Sequence, residues 1–110
     1  MAKILKDYKI QFVKPDSIEQ SIDTKAYGLR SKLGGKPSWE QNDETPICKS
    51  CKTPMTFIGQ IDSMEQNSPD NPHSIDSIQY EQDYMFGDAG LIYVFFCFDC
   101  LETASVFQCG

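Results

Sequence analysis

Four of the five cysteines stand in two short pairs, Cys48-Lys49-Ser50-Cys51 and Cys97-Phe98-Asp99-Cys100. Two residues between the thiols of each pair let both sulfurs face one concavity from a tight turn. Two such turns can close a tetrahedral cage of four thiolates around zinc. A closed set of this kind leaves no position for water, so the ion stabilises the fold without catalysing a reaction. Residues 52–96 lie between the pairs, and a shared ion would close that long loop. Lys49 and Lys52, within and beside the first pair, bring ammonium groups that offset the negative charge of a zinc tetrathiolate.

Two other uses of the thiols compete with this one. A dithiol redox centre wants an exposed cysteine at a helix N-terminus in a βαβ setting, whereas the second pair here ends an apolar strand pattern. A disulfide framework needs an oxidising compartment, and an odd number of cysteines argues against it. Cys109 lies outside both pairs and reads as a free thiol rather than a fifth ligand.

Other chemistry is sparse. His73, the one histidine in the sequence, sits among Asn71, Pro72 and Ser74 and reads as an exposed loop residue rather than a ligand. With one histidine in a polar loop there is no Ser-His-Asp arrangement to assemble, and nothing supports pairing His73 with Cys109 as a nucleophile. The Gly34-Gly35 loop lacks the spacing of a phosphate-binding motif. It reads instead as a turn, with Pro37 fixing its exit, that tucks Leu33 or Trp39 against the core. The expectation is a non-catalytic protein with no small-molecule substrate.

The elements that must position the cysteines follow from periodicity. Pro54 to Ile61 reads as a strand with Met55, Phe57 and Ile61 on one face, and Gly59 marks a bulge or a close neighbour. Leu91 to Phe98 is apolar on both faces, which predicts a central strand covered on both sides and ending at the second pair. Thr103 to Gln108 then returns, giving a strand–knuckle–strand hairpin. Tyr8 to Val13 alternates, with Tyr8, Ile10 and Phe12 on one side, as a half-buried strand does. Asp16 can cap a short helical turn over Ser17 to Lys25. Asp62 to Asp88 is a polar, acidic insertion without periodicity. Its acids do not follow the order of a calcium-binding loop, so it reads as a solvated loop. The fold class expected is mainly β, a β-rich α+β domain over residues 1–110. It is built on a small antiparallel sheet with a zinc-ribbon-like pair of knuckles.

Charge is divided unevenly along the chain. All ten Lys and Arg lie at or before Lys52 with seven of the acids, about +3 for residues 1–52, while residues 53–110 carry nine acids and no Lys or Arg, about −9. Four thiolates around one zinc would take the net charge from −6 to about −8. Such a surface repels phosphate backbones and attracts a basic protein segment, which places a nucleic-acid-binding zinc ribbon behind a protein-binding module. No apolar run is long enough to span a bilayer, and the first residues lack the apolar core of a secretory signal. The default expectation is a cytoplasmic protein with no membrane partner.

Several of these segments occur together in a familiar order. Ser31 to Trp39 contains Gly34-Gly35-Lys36-Pro37-Ser38-Trp39. It is followed by Pro46-Ile47-Cys48-x-x-Cys51, then Met55 to Ile61, then Gly90 to Phe95 and the second cysteine pair. The run resembles the YwqG-like family, a bacterial domain of unknown function. It is also similar to the N-terminal zinc-bearing region of the programmed cell death protein 2 family. The resemblance spans about residues 31–108. It implies a β-rich antiparallel fold with Cys48, Cys51, Cys97 and Cys100 as zinc ligands. Gly34, Gly35, Pro37 and Trp39 would form the shared loop, with Phe57 and Gln60 on the shared strand. On the eukaryotic side it implies a chaperone that shields a basic ribosomal protein; on the bacterial side it implies no activity. The Asp62–Asp88 insertion departs from the pattern, and a ribosomal client does not carry over.

Overall fold

Alternation of side chains about a pleated backbone accounts for most of the architecture. The computed structural model describes residues 30–63, 86–87 and 90–109, with residues 2, 4, 5, 7 and 9–12. Among the described residues there are four strands and no helix: β1 (Lys32–Leu33), β2 (Thr56–Asp62), β3 (Leu91–Cys97) and β4 (Glu102–Gln108). They form one antiparallel sheet in the order β1-β2-β3-β4. Along β3, Leu91, Tyr93, Phe95 and Cys97 are buried while Ile92, Val94 and Phe96 are half-buried. The core therefore lies on one face of the sheet, and Cys48 and Met55 from the loop before β2 complete it.

That face is covered by the loop after β1. Gly34 and Gly35 both have positive φ, 74° and 75°, the left-handed conformation that glycine adopts without steric cost. The turn sends the chain back across the sheet, where the Trp39 ring packs 4.6 Å from Tyr93 and 5.9 Å from Phe95. Side chains from three strands then bind the loop's backbone. Gln60 accepts from the Ser38 N–H at 3.0 Å. The Tyr93 hydroxyl accepts from the Glu40 N–H at 3.0 Å and donates to the Ser38 carbonyl at 2.8 Å. Gln108 accepts from the Gln41 N–H at 2.9 Å and donates to the Asn42 carbonyl at 2.7 Å. At the start of the loop, Arg30 is buried between Asp62, at 3.1 Å, and Glu40. Irregular backbone can lie against a core only if its polar groups find partners, and these side chains supply them.

The structure revises several expectations. Trp39 is tucked against the core as expected, but Leu33 is exposed. The β2–β3 register slips between Phe57 and Gly59, so Ile58 is the extra residue of a bulge. Gly59 also has a close neighbour: a β-carbon there would stand 2.7 Å from the Lys32 carbonyl oxygen. Because a bulge inverts the alternation beyond it, Gln60 and Asp62 face the core and Ile61 does not share the face of Met55 and Phe57; it is 48% exposed. The outer face of β3 is only half-covered, and Phe107, opposite Ile92 on β4, is 50% exposed. Ile10 and Phe12 lie in no strand and are exposed, so the half-buried N-terminal strand is not found there. Tyr8, Val13, the helical turn over Ser17 to Lys25, His73 and most of the acidic insertion lie outside the described residues. Among the described residues, no helix is long and apolar enough to cross a membrane.

Candidate metal centre

Each cysteine pair sits on a turn, and the two turns are built alike. In the first, Cys48 accepts at its carbonyl from the Lys52 N–H at 2.8 Å; in the second, Cys97 accepts from the Leu101 N–H, also at 2.8 Å. The residue just after each pair closes the turn in the left-handed region, Lys52 at φ 62° and Leu101 at φ 58°. Neither is glycine, so each position carries strain that side chains normally avoid. The first knuckle is a small hairpin, with Cys48 N–H bonded to the Thr53 carbonyl at 2.8 Å and an isolated bridge between Ile47 and Pro54. The second is the hairpin loop between β3 and β4, held by the Cys97–Glu102 register pair.

The sheet brings the two knuckles together. The Sγ atoms of Cys48, Cys51, Cys97 and Cys100 all lie within 4.8 Å of one another, and across the knuckles Cys51 and Cys97 are 3.7 Å apart. A tetrahedral zinc site with Zn–S bonds of about 2.3 Å has sulfurs about 3.8 Å apart along each edge. The cluster thus matches a four-thiolate cage to within a small contraction. Its sulfurs are too far apart for disulfides, and all are free thiols. Cys48 and Cys97 are buried; Cys51 and Cys100 are half-buried at the rim. Cys109 is not part of the cluster.

The thiols differ in acidity. The Thr53 hydroxyl, 2.9 Å from the Cys51 sulfur, and the Thr53 N–H stabilise its thiolate and bring its pKa down to about 6. Burial, with the neighbouring thiols, pushes Cys100 up to about 12. For Cys48 the Cys51 N–H favours the thiolate, but burial and the surrounding thiols outweigh it and the shift is upward. Four thiols sharing one small volume cannot all ionise without a cation between them, and a divalent ion is the group that removes this conflict.

Two polar residues at the rim carry no obvious signal in the sequence. Ser50, inside the first knuckle, donates to Glu102 at 2.7 Å, and the other oxygen of Glu102 accepts from Cys48 Sγ at 3.4 Å. Glu102 thereby ties β4 to the first knuckle. Ser50 first, then Cys48 and the Lys49 charge, hold its carboxyl below the ordinary carboxylate range. A depressed folded pKa means that this tie stabilises the fold above the ordinary range and is lost as pH falls through the folded value. Thr53 had a local signal, a hydroxyl two residues after a cysteine. Glu102 had none, because its role depends on the register of segments that are remote along the chain.

No family model matches this chain, and no solved structure matches it. A stretch of 78 residues, 71% of the chain, is 32% identical to a protein of Salmonella typhimurium described as uncharacterized protein YpfL. The chain spans about 15% of the length of that relative.

Proposed function

We propose that Cys48, Cys51, Cys97 and Cys100 hold one zinc ion, and that the chain is a non-catalytic, zinc-stabilised protein-interaction module whose acidic surface receives a basic protein. The observation that carries the metal assignment is the convergence of four sulfurs from two remote segments to within 4.8 Å. An all-thiolate set suits zinc over the hard oxygen-seeking cations. With all four positions taken by protein, the ion would bind the knuckles together and present no open coordination site.

The interaction role is supported by composition and by the resemblance to the programmed cell death protein 2 family. Residues 53–110 carry nine acids and no Lys or Arg, and a zinc tetrathiolate adds further negative charge. A thiol redox centre is the alternative that one feature favours, the low pKa of Cys51. The same thiolate character is what metal binding requires, and the Cys51 sulfur lies 3.7 Å from Cys97 of the other pair, a contact between the pairs that a lone dithiol does not need.

Elemental analysis of the purified protein should give one zinc per chain. Cys48→Ser and Cys100→Ser should each lose the ion and most of the cooperative unfolding transition. Cobalt substitution should give the intense visible spectrum of a tetrahedral thiolate site. A metal-free native protein whose four thiols react freely with a thiol reagent would overturn the assignment and favour the redox reading.

A further inference from the structure

Among the described residues, no strand pairs with the outer edge of β4. Within that set β4 ends the sheet order, pairs with β3, and keeps an unbroken register with it from Glu102 to Gln108. No backbone hydrogen bond joins its other edge to any described segment. In an antiparallel ladder, alternate residues of an edge strand point their N–H and C=O groups away from the sheet. Proteins usually protect such an edge with proline, lysine, a bulge or a very short strand. β4 is seven residues long, Glu-Thr-Ala-Ser-Val-Phe-Gln, and has none of these. The opposite side of the sheet is protected, because β2 carries the bulge and is partly covered by β1.

The charges around this edge select what can pair with it. Glu102 and Asp99 lie at the knuckle end. At the other end, Glu44 accepts from Gln108 at 2.9 Å and Asp43 is its neighbour in the loop. Lys49 is a cation near the knuckle end, where its charge bears on Glu102. A second copy of the chain is poorly suited to the edge. The antiparallel self-pairing that overlaps the full strand with the two core faces aligned is centred on Ser105 and sets Gln108 opposite Glu102 of the other copy. Each Glu44, held on Gln108, would then stand beside an acid of the same sign.

We infer that β4 is the docking edge for an extended, lysine- or arginine-bearing segment of a partner protein, which adds as a fifth strand through backbone hydrogen bonds while its cations meet Glu102, Asp99, Asp43 and Glu44. This rests on the protein-interaction reading above and assigns it to one strand. Backbone pairing supplies affinity with little demand on side chains, and the acids supply the preference for charge.

The test uses the full zinc-loaded chain and a blocked peptide, Lys-Val-Thr-Val-Thr-Val-Lys. Amide exchange read by NMR should slow at alternate residues of β4 when the peptide is added, and binding should weaken as salt is raised. N-methylating the peptide at one alternate set of amides should lower affinity by more than about tenfold, since each lost hydrogen bond is worth up to about that factor. Methylating the other set should have little effect, and replacing both lysines with glutamate should abolish binding. The edge assignment is overturned if both methylated peptides bind like the parent, or if protection appears away from β4. It is equally overturned if β4 becomes protected without peptide as protein concentration rises, which would assign the edge to a second copy. Salt-sensitive binding that leaves β4 unprotected sinks the edge and leaves the acidic-surface reading standing. Failure of this peptide and of polylysine to bind even at low salt sinks both.

Discussion

At the scale of single residues, the two positions that close the knuckles carry a measurable cost. Lys52 and Leu101 hold left-handed backbone angles, and Leu101 is 73% exposed, so its side chain gains little burial in return. The left-handed region costs an L-residue about 1–2 kcal/mol, part of which glycine returns through its larger unfolded-state entropy. Leu101→Gly should therefore raise stability by about 0.5–1 kcal/mol, seen as a higher urea midpoint with an unchanged slope. Zinc stoichiometry should stay the same, since the sulfurs do not move. The pairing of the cysteines on turns was legible at this scale, because a Cys-x-x-Cys spacing is a local feature that forces two sulfurs to one side of a turn. The left-handed angles were not, because Lys and Leu give no sign of the conformation that a glycine would have announced. Glu102 escaped for the opposite reason: its contact with Ser50 exists only once the two knuckles are brought together.

At the scale of elements, the sheet's buried face is partly polar, and that is what fixes the covering loop. Gln60, Asp62, Tyr93 and Gln108 all lie on it, bonding loop backbone or Arg30. Strand β2 was legible from period-two spacing, β3 from its unbroken apolar run and β4 as the segment that returns from it, and the Gly-Gly turn from its composition. The face of β2 was misassigned because a bulge at Ile58 changes the phase of alternation without changing composition. The two-residue β1 is too short to show any period. The ion pairs of Arg30 give the sharpest test of this layer. Its guanidinium is buried between Asp62 and Glu40, and, against the opposing pull of burial, these carboxylates hold its pKa above the ordinary arginine value. Arg30→Met removes the cation from between two largely buried acids, a loss that typically costs about 3–5 kcal/mol. Chemical denaturation should show that drop. Zinc content should be retained, because the substitution is on the loop–sheet layer and not on the knuckles.

At the scale of the whole molecule, the question is what holds the described apolar core in one arrangement. Among the described residues the buried hydrophobic side chains are Cys48, Met55, Leu91, Tyr93, Phe95 and Cys97, so two of the six are proposed ligands. Full burial of a large apolar side chain contributes about 1.5–3 kcal/mol, while ordering each residue's backbone costs about 1–2 kcal/mol. A core of this size has little margin, and an ion joining residues 48–51 to residues 97–100 is the natural supplement. Bound only by the folded state, zinc should add about 4 kcal/mol at a free concentration 1,000 times its Kd. Chelation should therefore lower the melting temperature sharply, and acidification should act in the same direction as protons displace the metal from the thiolates. The protein's single tryptophan makes this visible. Trp39 packs against Tyr93 and stacks on Phe95 in the loop that crosses the sheet, so its emission should shift to longer wavelength on chelation and recover when zinc is restored. If the metal held only the knuckles, Trp39 would keep its native emission while zinc was lost. A coincident change of tryptophan emission and zinc content would show that the cluster and the sheet fold as one unit.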